Sequence, residues 1–165
     1  MKKISALISA AAAYIDKAAT WLLFLLLFVM TGITFAQVVT RYVFNFSITW
    51  SEELARFLFI WSIFAGIPSL IFRSGMTAFD LILARLKGKI AKCAVLLLSG
   101  AGLLFFHLMA YGSFPLVQRQ FAQQATSLPV PMGLVYIVIP VSGFTAMFMI
   151  VENLLRVLSE RGEAA

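Results

Sequence analysis

Charge is scarce in this sequence. Of 165 residues, 12% are Asp, Glu, Lys or Arg and 62% are hydrophobic. A water-soluble domain carries about 25% charged and 45–50% apolar residues, so a soluble fold is excluded. Cysteine occurs once, as Cys93. That excludes an internal disulfide and an intramembrane thiol-exchange centre, both of which need paired thiols. Histidine also occurs once, as His107. There is no HExxH pattern, no second histidine for a metal site and no glycine-rich phosphate loop. No serine and histidine are placed as nucleophile and base. The chain reads as a protein that is not an enzyme, with no cofactor and no metal.

What is present instead is length without charge. Residues Ala18 to Val39 carry no charge, and Leu54 to Phe72 carry only Arg56. Cys93 to Val117 has His107 as its one ionisable group of note, and Val130 to Val151 has none. About 20 apolar residues suffice to cross roughly 30 Å of hydrocarbon as a helix. Within lipid the backbone must bond to itself, and isolated runs of this length can do so only as helices. The short alternating strands of a β-barrel are missing. The expected fold is an all-α integral membrane protein. It forms a single domain over residues 1–165, with spans at 18–40, 52–72, 93–117 and 131–154.

The formal net charge of +6 does not indicate nucleic acid, because of where the charges fall. Lys2, Lys3 and Lys17 precede the first span. Arg73, Arg85, Lys87, Lys89 and Lys92 lie between the second and third, and Arg156 and Arg161 follow the fourth. The opposite loops carry only Arg41, Arg56 and Arg119. Basic residues accumulate on the cytoplasmic side, so both termini are expected in the cytoplasm, with the basic loop near anionic membrane lipid.

Two short interfacial helices are expected beside the spans. Ile4, Leu7, Ile8, Ala11 and Ile15 recur at helical spacing, which predicts an amphipathic helix over about 4–16. This start also has features of a signal peptide, but Asp16 and Lys17 separate it from the first span. Phe79, Ile82, Leu83 and Leu86 predict a second helix over about 77–87, with Thr77, Asp80 and Lys87 opposite and Leu81 breaking the pattern. The short link from Arg41 to Ser51 makes the first two spans antiparallel neighbours. Pro129 and Pro131 extend the entry to the fourth helix, and Pro140 is expected to kink it.

The candidate site is the stretch SITWSEELARFLFIWSIFAG, residues 47–66. Thr49-Trp50-Ser51-Glu52 has the spacing of a capping box. Glu52 and Glu53 lie in the first helical turn, where the dipole favours negative charge. Arg56 is placed to pair with either, and Trp50 suits the aromatic belt at the membrane surface. A capped helix start explains much of this stretch. It leaves Arg56 a full turn inside an apolar run, where a charge usually faces protein. The readings that stay open are a helix start, a contact with a partner subunit or with the chain's own helices, and a substrate or ion site. The midplane offers almost no ionisable group for transport. His107 is expected to be hydrogen-bonded to a neighbouring helix. Small residues four apart mark packing faces: Ser62 with Gly66, Ala65 with Ser69, and Gly32 with Ala36. Ser99, Gly100 and Gly102 cluster on the third helix.

The stretch RYVFNFSITWSEELARFLFIWSIFAGIPSLIFRSGMTAFDLILARL resembles the small membrane subunit of tripartite ATP-independent periplasmic (TRAP) transporters. The resemblance rests on an ordered set: Arg41, Trp50, Glu52, Glu53, Arg56, Gly66, Gly75 and Asp80. Residues 127–143, SLPVPMGLVYIVIPVSG, are similar to the family's entry into the fourth helix. Many members have His-Ile after the loop glycine, where this chain has Met76-Thr77. The resemblance implies a bacterial inner-membrane scaffold for a large elevator-type subunit that carries the substrate and sodium sites. A soluble periplasmic protein would deliver an organic acid, such as a dicarboxylate, a keto acid or a sialic acid. Arg41, Trp50, Glu52, Glu53, Arg56 and Asp80 would then serve the fold or the subunit contact, and Ser62 and Gly66 helix packing. Gln118, Arg119 and Gln123 would meet the binding protein. Two adjacent carboxylates would repel the transported acid. The alternatives are an independent four-helix transporter or channel acting as an oligomer, and a structural subunit of a non-transport complex.

Overall fold

The computed structural model describes the backbone of residues 2–85 and 89–162, and the side chains of 7–73, 90 and 93–157. Five helices follow in order: α1 (Lys2–Val43), α2 (Thr49–Arg85), α3 (Lys89–Gln120), α4 (Met132–Tyr136) and α5 (Val138–Gly162). Four stretches are apolar and long enough to cross a membrane: Leu7–Val43, Thr49–Arg73, Cys93–Gln120 and Met132–Val157, the last running through both α4 and α5. The expected all-helical class with four spanning stretches is therefore found.

α1 joins the stretch expected as an interfacial helix, 4–16, to the first span without a break. Neither proline nor glycine occurs before Gly32, and the charge of Asp16 is matched across to α2 rather than turned to solvent. α2 likewise continues past Arg73 to Arg85. The remainder of the stretch expected at 77–87, and the side chains within it, including that of Asp80, lie outside the described residues.

α2 and α5 occupy the middle of the bundle. α1 packs along α2, α3 packs along α5, and α1 and α3 do not pack on each other among the described residues. One end of the bundle holds the two termini. The other holds the links 44–48 and 121–131. α1 ends where Asn45 takes a positive φ of 51°, a conformation that asparagine tolerates better than most residues. Phe44 and Phe46 both donate their amides to the Thr40 carbonyl there.

Two prolines shape the central pair. Pro68 lies inside α2, so the carbonyl of Phe64, one turn earlier, loses its normal donor. The Ser142 hydroxyl of α5 donates to that carbonyl at 2.6 Å. In hydrocarbon, such a substitute is the condition for keeping a proline in a span. Pro140 is the physical reason for the division between α4 and α5. It cannot donate to the Tyr136 carbonyl, and the fourth span is divided at Ile137 alone, whose backbone stays helical and whose amide still reaches the Gly133 carbonyl at 3.0 Å, so the effect of Pro140 is a one-residue irregularity in the span.

The closest helix crossing joins α3 and α5. A Cβ added to Gly143 would come within 2.9 Å of the Ala110 Cβ and 3.2 Å of the Phe106 carbonyl. Gly102 faces Ile150, with 3.1 Å to its Cδ1. On α2, Ser62 is buried and bonds the Leu58 carbonyl at 2.8 Å, while a Cβ added to Gly66 would meet Leu23 of α1 at an ordinary 3.6 Å. Gly32 and Gly100 face open space, so the small-residue pattern marks true contacts at some positions only. Replacing Gly143 by Val is expected to lower stability by about 1–3 kcal/mol through overpacking, measured by reversible unfolding in mixed micelles. The same change at Gly32 is expected to cause no loss in the isolated chain.

Candidate functional site

At the loop end, the acidic pair of α2 divides its work. Glu52 is exposed, and its carboxylate accepts from the Gln37 amide of α1 at 2.9 Å. Glu53 is half-buried and turns the other way. It accepts the backbone N–H of Thr126 at 2.9 Å and that of Ser127 at 2.6 Å. One turn of α2 thus ties α1 on one side and the 121–131 link on the other. The expected capping box does not form, because Glu52 is engaged by Gln37. Ser51, buried at the helix start, donates its hydroxyl to the Ile48 carbonyl at 2.6 Å instead.

Arg56 does not pair with either glutamate. It is exposed, and it makes no hydrogen bond or ion pair among the described residues. Both carboxylates have turned to neutral donors, which leaves the guanidinium without a hydrogen bond, although its charge still acts on the Glu53 carboxylate. Arg41 is exposed in the same way, and Trp50 is 44% exposed near the helix start.

The link over 121–131 is folded on itself. Ala125 donates to the Val130 carbonyl at 2.9 Å, and Met132 to that of Gln123 at 2.8 Å. Gln124 and Pro131 form an isolated bridge. The Phe121 ring lies where any Cβ on Gly133 would be, 2.5 Å from it, so only glycine lets the ring close the base of the loop. Gln118, Arg119 and Gln123 are all exposed around it.

At the terminal end a second polar group joins three helices. The Asp16 carboxylate accepts from the Ser69 hydroxyl and takes Arg73 through both Nε and an Nη at 3.0–3.3 Å. Arg73 also donates to the Thr20 hydroxyl at 2.7 Å. Asn153 of α5 donates to the Ile71 carbonyl at 3.0 Å. Glu152 beside it is fully buried and accepts from Ser9 of α1 at 2.9 Å, while its second oxygen has no hydrogen-bond partner.

The reading of residues 47–66 missed this terminal group, yet it leaves a trace in the spacing. Twenty-one residues separate Asp16 from Gln37, and twenty-one separate Glu52 from Arg73. At 1.5 Å per residue this is about 30 Å of helix, the thickness of the hydrocarbon core. In an antiparallel pair, equal spacing brings the partners together at both ends.

Between the two polar levels the bundle carries no ion pair among the described residues. His107 is exposed and rests on Tyr111 of its own helix, with ring centroids 4.5 Å apart. It is not bonded to a neighbouring helix, because the α3 face that meets α5 is the one with Gly102, Phe106 and Ala110. No group of three His, Cys, Asp or Glu that could hold a metal occurs among the described residues.

Residues 30–160 match the family described as tripartite ATP-independent periplasmic transporters, DctQ component. The chain belongs to this family. A Haemophilus influenzae protein named as a TRAP transporter small permease is 25% identical over 152 residues, covering 92% of each chain. A C4-dicarboxylate TRAP transporter small permease of Vibrio cholerae is 27% identical over 106 residues, which are 62% of this chain and 46% of that one. The sialic acid TRAP transporter permease SiaT of Haemophilus influenzae is 34% identical over 79 residues, 48% of this chain but only 13% of that much longer protein. With its four apolar helices, this DctQ-family chain is a small TRAP transporter subunit, a multi-pass protein of the bacterial inner membrane, and not an enzyme.

The terminal tie is open to a direct check. A double-mutant cycle of Asp16→Ala with Arg73→Ala, read by unfolding in micelles, is expected to give a coupling of about 1 kcal/mol. Additive effects would contradict the pairing.

Proposed function

We propose that the chain is the stationary scaffold of a larger, elevator-type membrane subunit, in sodium-driven uptake of an organic acid delivered by a periplasmic binding protein. The single observation that carries this reading is the match to SiaT. There, similarity to this chain occupies a small part of one long permease, as expected if a small subunit and a large transporting part act as one unit. The relatives' names, C4-dicarboxylate and sialic acid, favour an organic acid as the substrate class.

The chain's own residues support a scaffold rather than a carrier. The polar side chains that join helices are spent on those joints, and a sodium or anion site needs unspent ones near the midplane. The basic residues at the terminal end favour a cytoplasmic location for it, next to anionic lipid, so the loop end faces the periplasm. The stretches at 4–16 and 77–87 then lie near the cytoplasmic surface, and Asp80 belongs to that side. Within the set Arg41, Trp50, Glu52, Glu53 and Arg56, the carboxylates hold the fold, and the exposed guanidinium of Arg56, which makes no hydrogen bond among the described residues, is the group that meets the large subunit. Ser62 and Gly66 serve packing of α2. Gln118, Arg119 and Gln123 line the face where the binding protein docks.

Affinity purification of the tagged chain from its native membrane tests this. A many-helix membrane protein is expected in equal amount. Arg56→Ala is expected to lower its yield several-fold while changing the stability of the chain by less than about 0.5 kcal/mol. Recovery of the chain alone, as a stable oligomer, would overturn the reading.

A further inference from the structure

We infer that Glu53 is a positioning residue for docking of the binding protein, acting by holding the 121–131 loop in its docking shape from α2. This rests on the proposed function, in which the loop end faces the binding protein.

The geometry is specific. Both carboxylate oxygens are used, one on the Thr126 amide and one on the Ser127 amide. Consecutive amides pointing to one carboxylate make a fork that a neutral side chain cannot match, because an amide group presents one acceptor and one donor. The bonds are charge-assisted and so stronger than neutral ones. They also join parts of the chain more than seventy residues apart. The loop's other backbone bonds, Ala125 to Val130 and Met132 to Gln123, close it on itself and do not anchor it to α2. Among the described residues, Glu53 makes the hydrogen bonds that fix the loop tip against the second helix.

What the clamp holds in place is an outward surface. Gln123, Gln124, Thr126 and Ser127 are exposed on the loop, and Phe121 at its base is 43% exposed. Arg119 and Arg56 flank it, exposed and without an ion pair among the described residues. The Glu53 carboxylate itself is turned toward the loop amides. The face therefore offers neutral donors and acceptors between the guanidiniums of Arg56 and Arg119, with the exposed Glu52 carboxylate held to one side by Gln37, which suits a partner patch of hydrogen-bonding groups with carboxylates set opposite the two arginines. A loop already ordered loses less freedom on docking. If the clamp is lost and the docking shape falls to about a tenth of the population, the apparent docking constant rises about tenfold.

The test uses the whole complex in proteoliposomes. Initial uptake is measured against the concentration of its binding protein, saturated with labelled ligand. Glu53→Gln is expected to raise the half-saturating concentration about tenfold while the maximal rate stays unchanged. Hydrogen exchange at Thr126 and Ser127 is expected to quicken in the same complex. Ser127→Pro, which removes a donor from the loop side and leaves α2 intact, is expected to raise the half-saturating concentration likewise and to quicken exchange at Thr126. An unchanged half-saturating concentration in both variants, with faster exchange, would overturn the inference and leave Glu53 a purely structural tie. A lowered maximal rate at unchanged half-saturation would also overturn it. Wild-type uptake that ignores the binding protein would instead overturn the docking reading itself, and this inference with it.

Discussion

Hydrocarbon cannot hydrogen-bond, and that constraint orders everything in this chain. A polar group placed between the two membrane surfaces is costly unless a partner within the protein meets it, and three such matches organise the bundle. Pro68 frees the Phe64 carbonyl, and Ser142 binds it. Asp16 enters the apolar part of α1 and is met by Ser69 and Arg73. Glu52 is met by Gln37. The result is two polar levels about 30 Å apart along α1 and α2, with side-chain packing between them. Because each level joins α1 to α2, the pair cannot slide without breaking both.

The two halves of the bundle are built differently. α3 and α5 approach closely through Gly143, Ala110 and Gly102, which is how membrane helices gain contact without a hydrophobic driving force. α1 is tied by its polar ends, and it leaves Trp21, Phe24, Phe28 and Phe35 largely exposed. A hairpin clamped by polar groups at both ends thus lies beside one held by close packing. Glu53 extends the clamping beyond the membrane by fixing the loop to the second helix.

Much of this was legible in the sequence. Four long apolar runs, one of them carrying Arg56, give four spans, because hydrophobic length is a strong signal. The antiparallel pairing of α1 and α2 follows from the short link at Arg41 to Ser51. The importance of residues 49–56 was also visible, since two carboxylates and an arginine at the start of an apolar run need a reason. Their partners were not. Glu53 bonds to backbone amides of Thr126 and Ser127, and amides carry no mark in a sequence. The expected pairing of Arg56 relied on helical spacing alone, and contacts from Gln37 and the distant loop took both carboxylates away. Asp16 and Arg73 passed as topology signals because their spacing has meaning only once the hairpin is drawn. The Gly143 crossing was missed because a single glycine beside a serine does not reveal which helix will approach it.

The central claim is that this chain supports transport by a partner and does not itself move the substrate. Reconstitution tests it most directly. Liposomes under a sodium gradient would carry this chain alone, the large subunit alone, or both. Each would receive the binding protein with its labelled ligand. The account predicts uptake with both subunits present and none from this chain by itself. Gradient-driven uptake by this chain alone would contradict it, and would move attention to the exposed His107 in α3.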